Sequence, residues 1–114
     1  VKRISQYSFG SIIIDGRNYR SDVIIFPGRI NPSWWRKEGH YLRPEDLEEV
    51  AAAKPSVVVI GTGASGVMHV PAETVKWLED RGIEVKVART GEAVDIYNAL
   101  KDNTEAVAAL HLTC

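Results

Sequence analysis

Cysteine is nearly missing from this sequence: Cys114 is the single one. That excludes a disulfide within the chain and a cysteine-built zinc cage, and it fits a reducing compartment, so a cytoplasmic location is expected. Neither sign of charge is in excess. Lys plus Arg number 14 against 15 Asp plus Glu, for a formal net charge of -1, and the basic residues are spread from Lys2 to Lys101. A protein that displaces counterions from phosphates needs a basic surplus, so nucleic acid is not an expected partner. Long apolar runs are absent too. Ile12 to Ile14, Val23 to Phe26 and Val57 to Ile60 fall far short of the roughly 20 residues that cross a bilayer, so no membrane span is expected. No charged segment followed by a long apolar stretch opens the chain, and a secretory signal is not expected. There is no repeat, low-complexity tract or Gly/Ser linker, so residues 1–114 read as one domain with one core.

What is present divides into two halves. In the first, Ser11 to Ile14 runs into Asp15-Gly16-Arg17-Asn18, and Tyr19 leads on to Val23–Phe26. Asp-Gly is a strong hairpin signal because both turn positions tolerate positive φ, and the spacing predicts an antiparallel β-ribbon. Pro27-Gly28 stops the second strand. Asn31 to His40 is then a long connection that holds two of the three tryptophans, and such loops are packed lids or functional surfaces. The second half alternates helix and strand. Pro44, with Glu45 and Asp46 behind it, opens a helix that Lys54-Pro55 ends, and Ser56 to Ile60 is a buried strand. Pro71 opens a second helix, closed by Gly82, and Ile83 to Val87 follows as a strand. Thr90 is expected to cap a third helix carrying Val94, Tyr97 and Leu100, which Asp102-Asn103 breaks before Ala106 to Leu112 gives the last strand. This order predicts an α/β sheet with a parallel core and helices packed on it.

Gly61-Thr62-Gly63-Ala64-Ser65-Gly66 matches G-x-G-x-x-G after a buried strand. In a dinucleotide site the third glycine lies in the first helical turn and an acidic residue ends the next strand. Here Val67 to Val70 precede Pro71, and Ala88-Arg89-Thr90 follows Val87. No nicotinamide or flavin cofactor is therefore expected. Two readings stay open: the glycines let the backbone turn close to a helix, or they form a nest of N–H groups for a small anion or carboxylate.

The three histidines give no metal spacing, since His111 and Cys114 face opposite sides of a strand end and His40 and His69 lie on distant loops. His111 is expected at a core or rim position with a hydrogen-bond partner. The other dense group is Trp34, Trp35, Arg36 and His40. Adjacent residues of an extended loop point in opposite directions, so one tryptophan anchors the loop and the other meets solvent or a partner. Trp beside Arg is also a typical interface pair.

Taken together, Gly10-Ser11-Ile12 with Asp15-Gly16 and Tyr19, Asp22-Val23-Ile24-Ile25, Trp35-Arg36 with Gly39-His40, Val59-Ile60-Gly61-Thr62-Gly63, Gly82-Ile83 with Val85, Thr90, Ala93 and Tyr97-Asn98-Ala99-Leu100, and His111-Leu112-Thr113-Cys114 resemble one family. It is the domain of unknown function shared by the adipogenesis-associated domain proteins and, more distantly, the mitochondrial complex I assembly factor three family. The resemblance covers almost the whole chain. It implies a compact three-layer α/β fold with a mixed, mostly parallel sheet and no established enzymatic activity. It also implies that Gly61, Thr62 and Gly63 are a scaffold or pocket element without a dinucleotide.

The expected function is a non-catalytic binding or assembly module, with a protein or a second copy of the chain as partner. Its interface or lid residues are Trp34, Trp35, Arg36 and His40. The alternative is a small-molecule-binding protein or small enzyme in the crevice beside the glycine loop, where Gly61, Thr62, Gly63, Thr90 and Asn98 form a pocket for a small anionic ligand. In that alternative His40 or His111 is the titrating group.

Overall fold

In a computed structural model, residues 2–100 and 105–114 are described. Asp102-Asn103, the expected helix breaker, lies outside them. The Asp15-Gly16 turn forms as the sequence predicts, with φ of 50° and 82°. It joins β2 (Ser11–Ile14) to β3 (Arg17–Tyr19) with Ile14 opposite Arg17. A further strand, β1 (Ile4–Ser8), pairs antiparallel with β2 to complete a three-stranded sheet. The sequence signal for β1 is faint because Ile4 is its only fully buried residue.

The expected second ribbon strand is split. After Tyr19 the chain leaves the ribbon, and β4 (Val23–Ile25) belongs to a second sheet, followed by the short β5 (Ile30–Asn31). Val23, Ile24 and Ile25 are buried on both faces, which suits a covered sheet, whereas the ribbon's β3 is largely exposed. The second sheet has the order β5-β4-β8-β6-β7, where β6 is Val57–Thr62, β7 is Glu84–Ala88 and β8 is Ala106–His111. β8-β6-β7 run parallel, and β4 joins β8 antiparallel.

Helices cover the sheet. A 3-10 turn over Pro44–Leu47 leads into α1 (Glu48–Ala53), which stops at left-handed Lys54. α2 spans Ala72–Glu79 and α3 Thr90–Ala99. Strand alternation then sorts the core into two layers. Val57, Val59, Ala108 and Leu110 pack on one side with Val94 and Tyr97 of α3 and with Ile4, Ile12 and Ile14 of the ribbon. Val58, Ile60, Val107 and Ala109 pack on the other with Leu47, Val50, Leu78 and Trp34. Each large apolar side chain removed from water in this way contributes about 1.5–3 kcal/mol. The result is a three-layer mixed α/β domain whose parallel strands all end at one edge, at Thr62, Ala88 and His111.

Candidate functional site

That carboxyl edge carries a buried polar cluster. β4 pairs with β8 so that Val23 faces Leu110, and one step further along this antiparallel register Asp22 meets His111. Asp22 Oδ2 accepts from His111 Nδ1 at 2.8 Å and from Arg36 Nη2 at 2.9 Å, while Oδ1 accepts from the Leu112 N–H at 2.7 Å. Two nitrogens converging on one oxygen account for the 3.1 Å separation of Arg36 Nη2 and His111 Nδ1. Burial by itself raises the Asp22 carboxyl, but the bonds from His111, Leu112 and Arg36 outweigh it and hold the group below its ordinary value.

Arg36 is 8% exposed and His111 5%. The Arg36 guanidinium also donates to the Gly39 carbonyl at 2.9 Å and stacks 4.6 Å from the Trp34 ring centroid. His40, an exposed residue, lies edge-on to the His111 ring with centroids 5.6 Å apart. Its backbone is fixed, because its carbonyl accepts from the His69 N–H at 2.8 Å. Among the described residues three buried atoms of the cluster have no hydrogen-bond partner: His111 Nε2, Arg36 Nε and Arg36 Nη1. An unsatisfied buried polar group costs about 1–3 kcal/mol.

The glycine loop borders this cluster. Gly61 sits where the strand touches α3, and a Cβ there would lie 2.8 Å from Thr90 Oγ1 and 2.9 Å from Leu110 Cδ2. At Gly63, with φ of 106°, a Cβ would run into the Cys114 carbonyl carbon and lie 2.8 Å from His111 Cδ2. The loop's N–H groups are engaged by the chain itself: Ala64 donates to the Thr113 carbonyl at 2.6 Å, and Ser65 and Val67 donate to the Cys114 carbonyl at 3.3 and 3.0 Å. Thr62 donates its hydroxyl to the Ala88 carbonyl.

Thr90 does not cap α3. Arg89 is the N-cap residue, and the Thr90 hydroxyl instead accepts from the Gly63 N–H at 2.8 Å and donates to the His111 carbonyl at 2.5 Å. These tertiary bonds tie α3, β6 and β8 together, and they take the hydroxyl away from its own helix. Asn98 stands apart from that group. Its amide donates to the Ile4 carbonyl at 2.7 Å and accepts from the Ile4 N–H at 3.2 Å, pairing with β1 as another strand would.

The tryptophan loop divides by alternation. Trp34 and Arg36 turn inward, and Trp35 between them is 76% exposed. Arg36 is therefore a buried ion-pair residue, whereas Trp35 and His40 face outward. Trp34 Nε1 donates to the Asp46 carbonyl at 3.0 Å, the Trp34 N–H to the Asp22 carbonyl at 2.8 Å, and the Lys37 N–H to Asp46 Oδ1 at 3.1 Å. Trp35 borders an open groove of about 500 Å³ rimmed by Lys37, Glu45, Asp46 and Glu48. A larger depression of about 650 Å³, between Lys54, Ser56 and Arg81, lies at the amino ends of the parallel strands, away from the cluster. Among the described residues no three His, Cys, Asp or Glu side chains are placed to hold a metal ion, and no helix is long and apolar enough to cross a membrane.

From the sequence Arg36 and His40 stood out together in the tryptophan loop and His111 apart from them, while Asp22 had no chemical role. The signal that joins them is the register of β4 on β8, which no local pattern contains.

Fold and cluster together define a class: a small three-layer α/β domain with a β-ribbon and a buried Asp–His–Arg cluster at the carboxyl edge of its parallel strands. Residues 4–112 match the family described as Protein of unknown function (DUF498/DUF598), and the chain belongs to that family. It is similar to the conserved hypothetical protein PH1505 from Pyrococcus horikoshii, at 30% identity and a TM-score of 0.79, over 98% of this chain and 99% of that one. It is also similar to MT938, at 29% identity and a TM-score of 0.82 over 100% of both chains. A Bordetella pertussis protein described as a Mth938-like domain shares the fold with a TM-score of 0.78 at 20% identity, over 97% of this chain and 85% of that one.

Proposed function

We propose that the chain is a non-catalytic binding module that engages a protein partner through Trp35. One observation carries the reading: an indole exposed to 76% on a loop whose flanking residues are buried or hydrogen-bonded to the core. A large, stiff indole on a backbone held at both sides loses little conformational freedom on binding, which favours it as an interface anchor. The exposed Glu45 and Glu48 on the groove rim favour a cationic segment with an apolar side chain that lies on the indole. The exposed free thiol of Cys114 fits a cytoplasmic setting.

The test is calorimetric titration with synthetic peptides, one set cationic with a central aromatic and one set charge-reversed. The cationic set binds, and Trp35→Ala weakens it by about thirtyfold, as for a hot-spot residue, while stability stays within about 0.5 kcal/mol. Equal affinities of the wild type and Trp35→Ala would sink the reading. Light scattering covers the case of a second copy as partner: a dimer that Trp35→Ala converts to monomer places the interface between copies instead.

A second reading, a small-molecule-binding protein or small enzyme beside Gly61-Thr62-Gly63, is favoured by a separate observation. His40 and His111 come from distant parts of the chain, yet their rings lie 5.6 Å apart, and His111 borders Gly63.

A further inference from the structure

We propose that His111 and Arg36 form a binding site for a small oxyanion, a carboxylate or inorganic phosphate, covered by His40. The proposal rests on the second reading of the crevice and requires no catalytic step. It begins from position: β6, β7 and β8 end together at Thr62, Ala88 and His111, and ligands of α/β sheets sit outside the carboxyl ends of the strands.

The chemistry of the two side chains sets the sign of the ligand. Arg36 Nη2 is held by Asp22, Gly39 and the approach to His111, but Nη1 and Nε are buried without a hydrogen-bond partner among the described residues. Buried donors are almost always satisfied, and a guanidinium has donors only and does not shed its proton, so whatever completes Arg36 is an acceptor. His111 adds a second unmet group. Asp22 accepts from Nδ1 at 2.8 Å and fixes the ring from behind, leaving Nε2 buried and without a hydrogen-bond partner among the described residues. Nε2 meets an oxyanion as a donor when it carries a proton and accepts from a phosphate or carboxylic hydroxyl when it does not, so either form of the ring pairs with the ligand that the Arg36 guanidinium attracts.

The surroundings agree. Arg89 lies across the glycine loop, its Cγ and Nε 3.1 and 3.2 Å from where a Cβ on Gly66 would be, which adds a cation to the same edge. A metal cation has no place beside a buried guanidinium. The glycine loop is not the anion site of this proposal, because Ala64, Ser65 and Val67 already donate to Thr113 and Cys114. His40 is exposed and meets His111 through an edge contact, so its side chain can swing aside by rotamer change without moving backbone.

The experiment is a nitrogen-15 NMR titration of the intact chain with inorganic phosphate and, separately, with acetate, using sodium chloride at matched ionic strength as control. Saturable shifts at His111 Nε2 and Arg36 Nε with an oxyanion and not with chloride are expected. Saturation by phosphate alone assigns a phosphate group, and by acetate alone a carboxylate. His111→Asn keeps a donor for Asp22 and lacks Nε2, and it is expected to lower the affinity at least about tenfold with the fold retained. If that variant does not fold, His40→Ala, at an exposed position, replaces it: faster exchange of the bound anion in the line shapes is expected, whereas unchanged exchange overturns the covered site. Absence of saturation by either anion up to about 50 mM, an affinity too weak for a specific site, or wild-type affinity in His111→Asn, also overturns the proposal. Peptide titration of the same sample reports on the Trp35 groove separately, so failure of one site is distinguishable from failure of the other.

Discussion

At the residue scale, Asp22 joins three segments that are far apart in the chain. It faces His111 and Leu112 at the end of β8 and Arg36 from the tryptophan loop. In the sequence an aspartate before Val23-Ile24-Ile25 reads as a turn residue, because its partners lie up to 90 positions away. Trp34, Trp35, Arg36, His40 and His111 were legible as unusual residues. Their division into buried and exposed follows from loop alternation, but the assignment of which tryptophan is buried needed the core.

The Asp22 carboxyl is lowered in the folded state, so its contribution is fully present above the unfolded carboxylate value of about 3.9 and is lost as pH falls through the lower folded value. Asp22→Asn leaves the Arg36 charge buried without its counter-ion. In urea titrations at pH 7 it is expected to lose about 3 kcal/mol, and the difference from wild type should narrow on acidification below about pH 4. A wild-type midpoint for Asp22→Asn at pH 7 would show that the ion pair adds no net stability.

At the element scale, the turns and helices were the most legible parts, since their signals are local. Asp15-Gly16 turns where its φ tolerance allows, and Pro44 and Pro71 stand at the starts of helical segments. The misreading of β3 and β4 as one strand has a physical cause: both stretches favour extended backbone, and only the sheet that each joins separates them. Thr90 has the composition of a cap, yet its hydroxyl bonds to Gly63 and His111 instead. Asn98 gives this scale its prediction. Its amide supplies both a donor and an acceptor to Ile4, so Asn98→Ala removes two bonds that hold β1 against α3. The variant is expected to cost about 1–3 kcal/mol. Hydrogen exchange should show the loss of protection concentrated at Ile4 and its neighbours, and an even loss across the domain would contradict this role.

At the scale of the whole molecule, the two core layers meet at β8, whose six residues are all buried. The continuous apolar run Val57 to Ile60 was readable as a buried strand, and the order of elements indicated the α/β class. The strand order was not readable, because no residue of β8 announces that it pairs with β4 on one flank and β6 on the other. Small side chains fill this centre: Ala106 and Ala108 face α3 and the ribbon, and Ala109 faces the α1 and α2 layer. Ala109→Leu is therefore expected to overpack the second layer by about 1–3 kcal/mol. In a chain of about 100 residues each kcal/mol lowers the thermal midpoint by roughly 4–8 °C, so calorimetry decides the matter, and an unchanged midpoint would mean that the layer has room to spare.

The central place of β8 also has a kinetic consequence. β4 and β6 never pair with each other; each is hydrogen-bonded to β8, which follows both of them in the chain. During synthesis the amino-terminal part emerges first. The five-stranded sheet cannot close until β8 (Ala106–His111) is present to insert between β4 and β6. Productive folding is thus a late, long-range closure of the kind that proceeds slowly, and until it occurs the nascent chain exposes two strand edges for which pairing with another chain is the competing fate.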